Sequence, residues 1–261
     1  MSGVGNPTQV VELEARGPLA WLTLDRPEAL NALNTALTAA LEEALDRVQG
    51  LVDVRVLVIS GRGRAFCAGN DIVEMGALSA EAAEALARRQ AAVMARFARL
   101  PQVTVAAVDG YALGGGLMLA VAQDLRIASD RARLGLPEVR LGFNPGYGIA
   151  RFLDVAGGGH GRDLLLTGRT IHASEALRMG LVNRVVAAAT LHDRAAAWAA
   201  EIAEAPGEGV AATKAIVARL REAGRDGEPE AYGSALRTSP AARERIAAFV
   251  RRKGRGDLTT S

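Results

Sequence analysis

The sequence has little of what stapled, metal-bound or membrane-spanning proteins are built from. Among 261 residues there is one cysteine, Cys67, which excludes a disulfide framework and a cysteine-based zinc site. The three histidines, His160, His172 and His192, form neither an HExxH string nor a pair at ligand spacing, so no metal is expected. No GxSxG elbow is present, which argues against a serine hydrolase. The longest uncharged apolar stretch, Gly110 to Ala122, is too short and too glycine-rich to cross a bilayer. The opening MSGVGNPTQ has no basic n-region and no apolar h-region, so no signal peptide is expected and the expected location is cytoplasmic. Lysine is nearly missing too: of 31 basic residues only Lys214 and Lys253 are lysines, and 29 acids interleave with the bases to leave a net charge of +2. Such a balance reads as compositional bias toward arginine rather than as a nucleic-acid surface.

What remains is apolar and periodic. Hydrophobic residues make up 49% and charged residues 23%, enough for one large core. Val10–Glu14 and Leu19–Leu24 flank Gly17-Pro18 and predict a hairpin. In Thr35–Gln49, Leu37, Leu41, Leu45 and Val48 share one helical face. Val54–Ile59, Val103–Val108 and Leu125–Ala128 read as buried strands, with helices predicted over Ser79–Leu100 and Gly115–Ala122 between them. After Pro145 nearly everything reads helical, over 146–156, 160–167, 173–179, 190–204, 208–223 and 239–253, with only Asn183–Val186 extended. The predicted class is α/β, with a core over residues 8–195 and a helical C-terminal region over 196–255.

Three segments carry chemistry. GRGRAFCAGNDI (Gly61–Ile72) follows one buried strand; its glycines match neither a dinucleotide fingerprint nor a P-loop. In GYALGGGLM (Gly110–Met118), three glycines meet a helix start, which suits an anion or a developing oxyanion, or else merely allows close helix–strand packing. LGLPEVRLGFNPG (Leu134–Gly146) holds Glu138 between Pro137 and Val139, near Leu136 and Leu141. A carboxyl in apolar surroundings has a raised pKa and can move protons near neutrality; an ordinary surface glutamate is the plainer alternative.

Taken in order, these three segments, DRPEALNALN (Asp25–Asn34) before them and LLLTGRTIHASEALRMGLVNRVV (Leu164–Val186) after them resemble the crotonase superfamily, the enoyl-CoA hydratases and isomerases. The resemblance implies a spiral of ββα turns followed by helices that build a homotrimer or a dimer of trimers. It implies an acyl-CoA thioester as substrate, with coenzyme A part of that substrate and no separate cofactor. Ala68 and Gly115 are then the backbone N–H donors that hold an enolate oxygen, and Glu138 is the acid/base. Substrate contacts are implied for Ala29, Ala68, Gly69, Asn70, Asp71, Ile72, Gly115, Met118 and Phe143, and Phe249 and Arg252 are implied to reach coenzyme A from a neighbouring subunit. One departure stands out. Typical hydratases carry a second glutamate where this sequence has Met118, 20 residues before Glu138. Methionine cannot titrate and barely accepts a hydrogen bond. One carboxylate suffices to move a proton between two carbons, so the expected reaction is double-bond isomerisation. The alternatives are hydration with a single carboxylate or with help from Asp71 or Glu74, decarboxylation or thioester hydrolysis, and acyl-CoA binding without turnover.

Overall fold

A computed structural model describes residues 10–142, 144–223, Pro240 and Glu244. The chain opens with the predicted hairpin: β1 (Val11–Arg16) and β2 (Leu19–Leu24) pair antiparallel around Gly17, whose φ of +58° is the left-handed turn conformation glycine permits. Helix α1 (Thr35–Gln49) follows, capped by the Asn34 side chain, which accepts a 2.8 Å hydrogen bond from the Leu37 N–H. Next come β3 (Val56–Gly61), β4 (Ala65–Cys67), α2 (Ile72–Ala77) and α3 (Ala80–Phe97), then β5 (Val103–Val108), β6 (Tyr111–Leu113) and α4 (Gly115–Ala122). The chain continues with β7 (Leu125–Ser129), β8 (Arg133–Gly135), α5 (Ile149–Ala156), α6 (Gly158–Thr167), β9 (Thr170–His172), α7 (Ala173–Arg178), β10 (Arg184–Val186), α8 (Leu191–Ala203) and α9 (Gly207–Ala223).

The strands form two sheets. The larger has the order β1-β2-β3-β5-β7-β10, parallel from β2 onward. The smaller has the order β4-β6-β8-β9, with β4, β6 and β8 parallel and β9 antiparallel to β8. Each of β3, β5 and β7 thus passes directly into a three-residue strand of the second sheet, which generates a ββα spiral. Alternation along β3 explains its unbroken apolar run: Leu57 and Ile59 pack with α1 and α3 on one face, while Val56 and Val58 pack with Leu191, Ala195 and Trp198 of α8 on the other.

The mixed α/β class agrees with expectation. The second sheet and α2 are not among the expected elements, and the helix expected from residue 146 begins only at Ile149, after Gly148 at φ +80°. The expected division at 195/196 falls inside α8. The predicted helix over 239–253, apart from Pro240 and Glu244, lies outside the described residues, as do Phe143, Phe249 and Arg252. No described helix is long and apolar enough to cross a membrane.

Candidate active site

The second sheet explains why three separate sequence segments meet. They leave the C-terminal ends of its three adjacent parallel strands: residues 68–71 follow β4, Gly114 follows β6, and Leu136–Glu138 follow β8. Neighbouring strands lie about 4.8 Å apart, so residues two or three beyond their ends are held within a side chain's reach of one another. Between them lies a cavity of about 150 Å³. Its walls include Gly69, Asn70, Gly115, Met118, Glu138 and Tyr147, and Ile72, Met75, Ala87 and Leu141 add apolar surface. Ile72 and Leu141 stay 65% and 57% exposed, which places them at the mouth.

The glycines here are spatial necessities. A Cβ on Gly114 would sit 2.9 Å from Glu138 Oε1, one on Gly69 would sit 2.8 Å from the Leu113 carbonyl, and one on Gly115 would collide with Asn70 Oδ1. Gly69 and Gly114 also have φ of +105° and +51°. The three segments therefore approach as closely as backbone allows.

Two residues of this lining carry backbone N–H groups without an acceptor among the described residues. The Gly69 carbonyl accepts from the Leu33 N–H (2.8 Å), and in a trans peptide the Asn70 N–H must point the opposite way. Gly115 opens α4, and its N–H is one of the unsatisfied donors at a helix start; the Gly114 carbonyl is already taken by the Met118 N–H at 3.0 Å. The expectation for Ala68 is corrected here. Its N–H donates to the Leu30 carbonyl at 3.0 Å and is not available to a ligand. The open donor in this loop lies two residues on, at Asn70.

Glu138 sits in a short 3₁₀ turn, Pro137–Leu141, and is 8% exposed. Burial pushes its carboxyl above the ordinary glutamate range. Its Oε2 is buried and has no hydrogen-bond partner among the described residues. It is the only carboxylate lining the cavity among those residues; Met118, which abuts Gly148, supplies apolar wall. Asp71 and Glu74 are committed elsewhere. Asp71 caps α2 through the Val73 and Glu74 N–H groups and pairs with Arg26, and Glu74 accepts from the Thr35 N–H at 2.9 Å.

Of the residues implied to contact substrate, Gly69, Asn70, Ile72, Gly115 and Met118 line the cavity, and Ala68 contributes wall though not its N–H. Ala29 and Asp71 lie outside the lining. Cys67 is buried beneath the first loop with its thiol pushed up to about 12 by desolvation, so it is no nucleophile. Tyr147 escaped the sequence reading. Its hydroxyl donates to Asn70 Oδ1 at 3.0 Å, and burial pushes its pKa well above the usual phenol range. The one local signal was an aromatic set between Gly146 and Gly148 in the segment that follows Glu138.

Comparison with known proteins identifies the family. The sequence model for the enoyl-CoA hydratase/isomerase family matches residues 14–243. The chain belongs to that family. It is 38% identical over 251 residues to a protein of Mycobacterium bovis named probable enoyl-CoA hydratase echA8, covering 94% of this chain and 96% of that one. It is 34% identical over 249 residues to a short-chain-enoyl-CoA hydratase of Clostridium acetobutylicum, covering 93% and 95%. The crystal structure of an enoyl-CoA hydratase of Mycobacterium smegmatis superposes with a TM-score of 0.88 at 32% identity, covering 93% of this chain and 96% of that one. The protein is thus an enzyme of the crotonase superfamily with the fold of its solved members.

Proposed function

We propose that the enzyme moves the double bond of an enoyl-CoA thioester from the β,γ to the α,β position, with Glu138 as its sole acid/base. The observation that carries this reading is that Glu138 is the single carboxylate among the described residues that line the cavity, with Met118 in the wall beside it. Coenzyme A is part of the substrate, and the reaction uses no separate cofactor. The thioester oxygen accepts from the Asn70 and Gly115 N–H groups, which have no acceptor among the described residues. Ionised Glu138 removes a proton from the α-carbon; the electron pair moves onto the thioester oxygen as a dienolate. Glu138 then returns the proton to the γ-carbon, leaving the double bond in conjugation. An oxyanion donor of this kind is worth about 3–4 kcal/mol in a related acyl-transfer setting. Burial suits Glu138 to this role, because it makes the carboxylate more basic and so better matched to a weak carbon acid at neutral pH.

A second reading, hydration of a 2-enoyl-CoA, is favoured by the names of the curated relatives. It needs a water held beside the β-carbon without a second carboxylate. Incubation with 2-enoyl- and 3-enoyl-CoA esters separates the two. Absorbance of the conjugated thioester rising from the 3-enoyl ester supports isomerisation; absorbance falling only from the 2-enoyl ester replaces it with hydration. We further propose a homotrimer or dimer of trimers, with Phe249 and Arg252 beside a neighbour's coenzyme A. Light scattering that reports a monomer at micromolar concentration sinks that part.

A further inference from the structure

We infer that Tyr147 is a positioning residue for the oxyanion donors: its hydroxyl bond to the Asn70 side chain, laid over the Cα of Gly115, locks the two N–H groups into one site. The inference rests on the enolate reading proposed above and adds a residue to it. Three observations meet at this point. The Tyr147 hydroxyl donates to Asn70 Oδ1 at 3.0 Å, which ties the segment after Glu138 to the loop after β4. A Cβ on Gly115 would lie 2.7 Å from the same hydroxyl and would collide with the same Asn70 oxygen, so the bonded pair occupies the place a larger residue would take. The peptide groups on either side of Asn70 are pinned by Leu33, through the Gly69 carbonyl (2.8 Å) and the Asp71 N–H (2.9 Å), which leaves the side chain as the remaining handle on this residue.

The chemistry of the pair is that of a fixed strut. With its pKa pushed up by desolvation, the phenol remains an O–H donor throughout the working pH range and does not compete with Glu138 for the proton. Gly146 and Gly148 flank the ring, and the ring packs partly buried against the core cluster that also contains Phe66, Leu117 and Met118. A ring with two rotatable bonds set in a packed wall loses little further freedom on bonding, so it transmits the rigidity of the core to Asn70, whose flanking peptides are otherwise held by Leu33. Differential stabilisation of an enolate needs donors that are in place before charge develops. Tyr147 supplies that preorganisation without touching the reacting atoms.

The test reads carbonyl polarisation directly. The conjugated probe 2,4-hexadienoyl-CoA is bound to Glu138→Gln, which lacks the proposed acid/base, and to Glu138→Gln carrying Tyr147→Phe as well. Donors aimed at the thioester oxygen shift the probe's absorption to the red. The expected result is a clear shift in the first protein, most of it lost in the second, with probe affinity altered less than threefold. In the otherwise unmodified enzyme, Tyr147→Phe should lower kcat about tenfold, the scale of one net hydrogen bond, with KM little changed. Asn70→Leu removes the acceptor while leaving the backbone N–H, and serves if Tyr147→Phe folds poorly; the two losses should not add in the double variant. An equal shift with and without the hydroxyl overturns the inference and leaves the enolate site standing. A full shift accompanied by lost turnover overturns it in favour of direct proton transfer by Tyr147. No shift in either protein overturns the enolate reading and the inference together.

Discussion

Glu138 and Lys214 are both ionisable and both nearly enclosed, at 8% and 9% exposure, yet the protein treats them in opposite ways. Lys214, on α9, donates to the Gln102 carbonyl at 2.7 Å and pairs with Asp124 at 2.7 Å. Asp124 also accepts from the Thr104 N–H and hydroxyl, at 2.8 and 3.0 Å, so every charge in that cluster has its partner. Glu138 has none for Oε2. Among the described residues four buried side-chain oxygens lack a partner, and the other three are glutamine oxygens whose amide nitrogens are bonded; Glu138 is the only ionisable one. A satisfied buried charge fastens elements together, here α9 to β5. The unsatisfied one is, on the reading proposed above, the group that acts on the substrate.

The contrast breaks most sharply on substitution. Glu138→Gln keeps the volume of the side chain and removes its proton transfer, so turnover of a 3-enoyl-CoA should fall by about two to four decades while the folded protein persists. Retention of turnover would remove Glu138 from the acid/base role. Asp124→Asn should do the reverse. It leaves Lys214 buried without its counter-charge, and the urea midpoint should report a loss on the order of 3 kcal/mol, with turnover per folded molecule unchanged. Loss of turnover without loss of stability would make that cluster part of the site.

Gly115→Ala sharpens the comparison from the backbone side. The new methyl would meet the Tyr147 hydroxyl at 2.7 Å and displace Asn70, opening the space between the two N–H groups. A rate loss of about two to three decades is expected, the scale of removing one oxyanion donor. A variant that turns over at the wild-type rate would show that these donors do not hold the thioester oxygen. Met118→Glu should act more gently. It places a second carboxylate in the cavity wall, and like charges at short range keep one of them protonated. The ratio of hydration to isomerisation should rise several-fold; an unchanged ratio would show that Met118 does not decide between the two reactions.

How far the sequence carried this contrast depended on range. Long periodic elements were legible: the apolar face of Thr35–Gln49 and the β-branched run of Val103–Val108 became α1 and β5 with the same bounds. The second sheet was not, because strands of three residues show no period and sit inside stretches whose glycines read as turns. Glu138 was legible as a carboxylate among leucines and a proline. The open backbone donor in the loop after β4 was not. Whether Ala68 or Asn70 has the open N–H depends on where Leu30 and Leu33, about 40 residues earlier, lay their carbonyl and amide groups; that pairing is set by tertiary contact and leaves no local mark. Tyr147 was missed for the same reason, since its partner Asn70 lies 77 residues away.

The smallest effect tests whether the unsatisfied carboxylate carries a stability penalty. Burial raises the Glu138 pKa in the folded protein above its value in the unfolded chain, so the native state holds that proton more tightly. Between the two pKa values the native state binds more protons than the unfolded state, and stability therefore falls as pH rises through that window. Below the ordinary carboxylate range both states are protonated and the residue is neutral in its effect. Above the raised value the penalty of the buried charge is complete. A glutamine side chain cannot ionise, so Glu138→Gln should melt higher than the wild type at neutral pH. The gap should close on acidification and vanish below the ordinary glutamate pKa. Paired thermal melts from acid to neutral pH measure it. Melting curves that stay superimposed at every pH would mean that the carboxylate finds a partner in solution, and Glu138 would then belong with Lys214 among the satisfied charges.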